Sequence, residues 1–315
     1  MIQQELAQAP SLVDIENRAQ IARVTCGWKK PHLSLDVVRR YWRDVHSPAI
    51  SRRAGLYEYR HHQYNAVETD LFPPVPGIRY ECDPSEQLMW LSDVRYRNQA
   101  GLDAFGESPE IAVKNLLLAD IEIIVDKSST YKAVGENAVT YLDVTGNPTP
   151  QGPPSALSYS ILFRQAADDK RLHECTRRLA KLWATKPGIQ RVRLNIFEAP
   201  NIEAEKNAGY PIKTHPPEMQ YQAWIEIIMS NRTDAKALLL PSDGIDFAAI
   251  SEIHAYPVFA TYTSVYAGLP TVVGLRGYPA FDAMRSLGAV NQQDVRLLTW
   301  MCGDFAKAGI AGGLM

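Results

Sequence analysis

The sequence predicts an α+β fold: two β-α-β-β-α-β units in one chain, their sheets closing on each other as a barrel, followed by a helical C-terminal extension. Three observations carry this. Strand and helix patterns occur twice in the same order. The segment GNPTPQGPP, residues 146–154, separates the two runs as a linker by composition. Markers recur at a constant offset of 133 residues: Gly55 and Gly188 open second strands, Asn98 and Asn231 follow third strands, and Val24 and Leu157 sit in first strands. Such an offset indicates an internal duplication.

After an N-terminal extension, 1–20, in which 11–20 reads as a short helix, the first unit spans 21–145. Residues 21–28 alternate as a strand. Ser34 is a good N-cap, with Asp36 beside the positive end of the helix dipole. Leu35, Val38, Tyr41/Trp42 and Val45 then recur at helical spacing, and Ser47-Pro48 weakens or ends the helix. Gly55 opens a strand over 56–64. Residues 70–84 are Pro-rich and read as a long loop, and 87–96 as the third strand. A short helix covers 99–105. Ser108-Pro109-Glu110 reads as an N-cap, a first-turn proline and an early acid for a helix ending near Leu118. Residues 120–126 and 131–141 then supply the last strand or strands. This is the order of a ferredoxin-like unit.

The second unit, 155–266, repeats it: strand 157–164, helix 168–186, strands 188–198 and 222–229, a shorter helix 233–240 and a last strand 252–262. Helices cover one face of each sheet and leave the other bare, so the two bare faces are expected to meet as an intramolecular pseudo-dimeric barrel with a cavity between them. The extension, 267–315, reads as two helices near 279–287 and 292–305. It is expected to serve as packing surface, oligomer surface or lid.

Of 315 residues, 46% are hydrophobic and 22% charged, and the net charge is −2, the balance of a soluble globular protein with no basic half for nucleic acid. Cys26, Cys82, Cys175 and Cys302 form no CxxC pair, and Cys26 and Cys175 read as buried thiols. The N-terminus lacks an apolar signal core and no run reaches ~20 apolar residues, so the reducing cytoplasm is the default. No His/Asp/Glu cluster has metal-ligand spacing. The terminal AGIAGGLM is no phosphate loop, and there is no nucleophile elbow.

Chemistry concentrates in 34–64, which holds His46, His61 and His62. On the second strand Tyr57, Tyr59, His61 and Gln63 share one face, and Glu58, Arg60, His62 and Tyr64 the other. The 133-residue offset sets the first group against Gln190, Val192, Leu194 and Ile196, so it is expected to point inward. It sets the second against Arg191, Arg193, Asn195 and Phe197, so His62 is expected to face helices or solvent. His46 falls opposite Leu179. Proton-handling groups of the first unit thus face aliphatics in the second. His46, near a helix end whose dipole favours the imidazolium, can work with His61 as acid and base. A hydroxyl from Tyr57 or Tyr59 can polarise a carbonyl. Trp90 and Asp93 alternate on the third strand, so at most one lines a cavity.

PHLSLDVVRRYWRDVHSPAI resembles the signature of EthD-like proteins, a helix with a Tyr-Trp pair and then a His two residues before Pro, matched by Tyr41, Trp42, His46 and Pro48. AFGESPEIAVKNLLLADIEIIVD resembles that family's second helix, with Phe105, Ser108-Pro109-Glu110 and Asp120. The resemblance covers roughly residues 21–145 and implies the dimeric α/β-barrel superfamily. Its members include cofactor-independent lyases, dehydratases, decarboxylases, isomerases and cyclases, quinone-forming monooxygenases and haem enzymes. The expectation is a lyase or isomerase without cofactor or metal, acting on a hydrophobic, aromatic or polyketide-like molecule. His46, His61 and Tyr59 are the expected catalytic residues; Tyr41, Trp42, Tyr57, Trp90 and Asp93 the expected substrate contacts. Haem-dependent chemistry and non-catalytic ligand binding are the alternatives. No nucleic-acid or membrane partner is expected, and a homo-oligomer is compatible.

Overall fold

A computed structural model describes residues 10–166, 171–200, 214–236, 238–239 and 245–303. Residues 168–170, 237, 240 and 304–305 of the expected helices, and the terminal AGIAGGLM, lie outside them. The elements are α1 (Leu12–Glu16), β1 (Ile21–Lys29), α2 (Leu35–Tyr41), a π-helical turn (Trp42–His46), α3 (Ser47–Ile50), β2 (Glu58–Tyr64), β3 (Trp90–Tyr96), α4 (Gln99–Glu107), α5 (Ile111–Ile124), β4 (Val125–Val134), β5 (Ala138–Asp143), β6 (Gln151–Gly152), β7 (Leu157–Gln165), α6 (Arg171–Trp183), β8 (Ile189–Ile196), β9 (Ala223–Met229) and β10 (Ile250–Tyr266). Short helices Val272–Arg276, Tyr278–Leu287 and Val295–Cys302 follow.

The strands lie in the order β4-β1-β3-β2-β10-β7-β9-β8-β5. All pairings within this path are antiparallel. The last strand of each half is shared. β10 pairs with β7 over Ile250–Pro257 and then with β2 over Val258–Val265. In the first half β4 pairs with β1, and after the 3-10 turn Gly135–Asn137 the chain continues as β5 on β8. These two crossings nearly close the sheet into a barrel. The linker is tied down as well: β6 pairs with β10, and Arg60 donates to the Pro148 carbonyl at 3.0 Å.

Two offset markers are structural equivalents. Gly55 and Gly188 have φ of +77° and +81°, a region that favours glycine, and each abuts the helix after its third strand. Asn98 and Asn231 both cap those helices through their side chains. The third marker fails. Val24 pairs with Asp93 whereas Ser160 pairs with Glu226, so Leu157, an exposed strand start, is not the partner of buried Val24.

The barrel interior is filled, which corrects the expected cavity between the sheets. Glu58, Arg60 and His62 on β2, Asp93 and Arg95 on β3, and Arg191 and Arg193 on β8 point into it and are buried. Arg193 reaches Asp93 at 2.7 Å, Glu58 at 3.0 Å and Glu16 at 2.7 Å; Arg191 reaches Glu226 at 2.8 Å and also pairs with Asp143. Glu16 comes from α1, which plugs this end. Aromatic side chains, among them Tyr64, Tyr131, Phe197, Tyr221, Trp224 and Tyr256, fill the other end. Arg191 and Arg193 read as exposed because isolated charges avoid interiors. Here each is paired, so the opposite face of β2, carrying Tyr57, Tyr59 and His61, meets the helices instead.

Three local expectations are also corrected. The Ser47-Pro48 helix does not end. The Ser47 N–H donates to the Trp42 carbonyl in a π-turn, and α3 continues beyond it, which accommodates a proline with no N–H to give. The helix expected to stop near Leu118 runs to Ile124, because Leu118, Ile121 and Ile124 face the core at helical spacing. Ser108 is not its cap: α5 starts at Ile111, and the Ser108 hydroxyl accepts from the Ala54 N–H at 3.2 Å.

Candidate active site

Between the first half's sheet and its helices lies a cavity of about 100 Å³. Its helix wall is Trp42, His46 and Ile50 from the π-turn and α3, Phe105 from α4, and Leu118 and Ile121 from α5. Its sheet wall is polar: Arg23 and Thr25 on β1, Ser92 on β3, Tyr59 near the start of β2, and Ser128 and Thr130 on β4. Thr214, from the connection before β9, also reaches it.

Ser34 starts α2 as expected, its hydroxyl accepting from the Val37 N–H at 3.2 Å. The π-turn then begins at Trp42 and ends at His46, whose rings lie 4.2 Å apart. Trp42 also packs on Trp90 at 4.5 Å. Trp90 in turn lies across β1 at Gly27, where any Cβ would collide with the indole. Gly27 therefore makes room for the indole of the cavity's aromatic wall.

His46 is buried, and its Nδ1 lies 3.0 Å from Asp120 Oδ2 on α5. A carboxylate oxygen accepts, so Nδ1 is the ring's donor to Asp120, and Nε2 has no protein partner among the described residues. Tyr41 sits next to Asp120; burial and then that carboxylate raise its hydroxyl pKa. Tyr59 is fully buried, with its hydroxyl 3.0 Å from Ser47 Oγ. Burial raises its pKa, against the lowering pull of Ser47, Ser92 and Trp42 around it.

Of the expected catalytic residues, His46 and Tyr59 line the cavity and His61 does not. His61 lies behind Trp42, 6.0 Å from that ring, and accepts from Gln63 Nε2 at 3.2 Å. Burial holds it well below the ordinary histidine range, so it is a neutral packing group. Among the expected contacts, Trp42 and Trp90 line the cavity, and Tyr41 supports it from behind. Tyr57 is turned to the N-terminal segment, where its hydroxyl donates to the Ile15 carbonyl at 2.8 Å. Asp93 faces the barrel interior, bound to Arg95 and Arg193, and takes no part in the site. His62 also points inward: its Nδ1 is 3.0 Å from Thr261 Oγ1, and burial lowers it to about 4.

Sequence reading missed Arg23, Thr25, Ser92, Ser128 and Thr130, and it gave Asp120 no role. Alternation held the signal: Arg23 and Thr25 share a face of β1, and that face proved to be the one under the helices. Arg23 and Lys132 are directly opposed across β1 and β4, and neither has a carboxylate partner among the described residues. Arg53, the cavity's other guanidinium, is engaged: Nε donates to the Ser108 carbonyl at 2.6 Å, and the group lies 3.5 Å over the Phe105 ring.

No protein-family model matches this chain, and no curated protein matches it. Solved structures do. An anthrone oxidase-like protein superposes with a TM-score of 0.44 at 10% identity, covering 79% of this chain and 94% of its own. A DyP-type peroxidase from Cellulomonas bogoriensis gives 0.40 at 10%, covering 79% and 92%. A chlorite dismutase from Candidatus Nitrospira defluvii, in complex with imidazole, gives 0.34 at 8%, covering 76% and 91%. The chain's own strand order makes it an α+β fold with a nearly closed antiparallel barrel. At such identities the likeness speaks to fold alone.

The expectation of no cofactor is corrected by these neighbours, since the peroxidase and the chlorite dismutase belong to haem-binding classes. The residues here fit haem poorly. A histidine backed by a carboxylate has the pattern of a metal ligand, but about 100 Å³ is well short of the ~300–1,000 Å³ of ordinary cofactor pockets. No group of three His, Cys, Asp or Glu among the described residues could hold a metal ion. No helix among them is long and apolar enough to cross a membrane.

Proposed function

We infer that this chain is an enzyme that moves a proton on a small hydrophobic, planar molecule in the first-half cavity, with His46 as the base. One observation carries this reading: His46 lines the cavity, its Nδ1 fixed by Asp120 and its Nε2 left for a ligand. Nε2 takes the proton from an acidic C–H or O–H. The electron pair left behind gathers on a neighbouring oxygen, to which the Tyr59 hydroxyl can donate. The reactions this serves are elimination, decarboxylation, isomerisation and cyclisation. Trp42 and Trp90 offer flat faces for an aromatic or polyketide-like ring. The matches to the EthD-like pattern at Tyr41, Trp42, His46 and Pro48, and the equivalence of Gly55 with Gly188, support membership in that family as a tandem duplication.

The test starts from mass spectrometry of molecules that co-purify with the protein, followed by turnover of the compound found. His46→Ala and Asp120→Asn should both fold, and both should lose turnover, the first more. Full turnover by His46→Ala would remove the proposed base. Release of the compound unchanged by the wild-type protein would make this a binding protein. A Soret band on haem addition that His46→Ala abolishes would replace proton transfer with haem chemistry.

A further inference from the structure

We propose that Arg23, aided by Lys132, is an anion anchor, and that the cavity takes a one-ring aromatic carboxylate. This deepens the proton-transfer reading in that it takes the same cavity as the site, but it does not depend on His46 acting as base.

The first argument is charge. Two cations directly opposed across an antiparallel pair repel each other. The fully buried arginines Arg60, Arg95, Arg191 and Arg193 each hold a carboxylate. Arg23 is half-buried, lines the cavity and has none among the described residues. The described cavity lining holds two guanidinium groups and no carboxylate, since Asp120 stands behind His46. Withdrawing a cation from water without a partner is costly, and an anionic ligand removes that cost.

The second argument is the surroundings. Thr25 and Thr130 are paired beside Arg23 with their hydroxyls 3.1 Å apart; one donates to the other, which leaves the second hydroxyl's proton for a carboxylate oxygen. The third is size. At about 100 Å³ the cavity is smaller than the ~150 Å³ apolar cavity that accepts benzene, so a single ring is the upper limit and even that requires the lining side chains to shift. Trp42 and Trp90 form the flat wall at the His46 side. A ring on the indoles with its carboxylate toward β1 uses both ends of the cavity.

The probe pair is benzoate and benzamide, equal in shape and different in charge, titrated by quenching of tryptophan fluorescence with the full-length protein. Wild type should prefer benzoate by about tenfold or more. Arg23→Gln should erase the preference, Arg23→Lys should keep part of it, and Lys132→Met should reduce it. Circular dichroism checks that each variant is folded, and the Lys substitution answers for one that is not. His46→Ala should lose turnover yet retain the benzoate preference, which separates a failure of this proposal from a failure of the proton-transfer reading. Equal binding of the two probes, binding of neither, or a preference that survives Arg23→Gln would overturn the assignment.

Discussion

The helix-covered faces of the two halves share a backbone plan and differ in what fills them. In the first half, Trp42, His46 and Tyr59 surround a cavity with a polar floor. In the second, the positions 133 residues on from His46, Tyr59 and His61 are Leu179, Val192 and Leu194, all fully buried in apolar core. Trp183 packs there, its indole N–H donating to the Leu238 carbonyl at 2.8 Å. The Pro-rich loop of the first half crosses over and adds Leu71, Phe72, Val75 and Tyr80 to the same core. One half is thus packed solid and the other kept open. Close packing of apolar groups stabilises the barrel, and that stability lets the open half keep buried polar groups that packing alone would not retain.

The largest expected effect falls on the open half. His46→Ala should lower turnover ~10²–10⁴-fold while the unfolding midpoint in urea stays within a few tenths molar of wild type. The packed half should respond the other way. Trp183→Ala should cost about 3–5 kcal/mol in chemical unfolding, with the benzoate preference of the folded protein unchanged. Loss of that preference would mean the halves are less separable than their cores suggest. Next is Arg193→Met in the barrel interior, which removes a cation shared by Glu16, Glu58 and Asp93 but leaves them Arg60, Arg191 and Arg95, and should cost about 3 kcal/mol, the lower end for a broken buried pair.

Acidification probes the same interior. His62 and His254 are held by burial at about 4, below an unfolded value near 6.5. Their contribution is whole above that value and is lost as pH falls from ~6.5 toward 4. Glu16, Asp93 and Glu226 are held low by the arginines against the opposing effect of burial. Their contribution is whole above the unfolded carboxylate range, near pH 4, and is lost as pH falls below it. Urea midpoints should therefore decline in two stages, the second steeper. A midpoint flat from pH 7 to 4 would contradict the histidine assignments. The smallest effect is expected of Tyr57→Phe, which removes one hydrogen bond to the Ile15 carbonyl. It should cost about 1 kcal/mol and leave turnover intact.

Much of the architecture was legible in the chain because it rests on local signals. Gly55 and Gly188 mark turns that need positive φ, Asn98 and Asn231 mark caps, and period-two alternation marks the strands. Orientation was harder. Alternation separated Tyr57, Tyr59 and His61 from Glu58, Arg60 and His62, but it could not say which set met the helices. Arg191 and Arg193 argued for solvent, and only their long-range partners, Glu16 and Glu58 among them, reverse that reading. At the site, the helix pattern led to His46 and Trp42. Asp120 was harder to weigh because the β-branched run after it reads as strand. Arg23 was not legible as a site residue because no linear pattern records which side chains meet a cation in the fold.

The exchange of last strands also bears on whether either half can exist without the other. β10 ends on β2, and β5 ends on β8, so each half finishes its partner's wall. Neither can be trimmed away without opening a raw sheet edge on the other. A clip within residues 146–154 would yield two pieces clasped as one body, melting in a single event. Each half is thus the other's scaffold, whatever chemistry either of them carries.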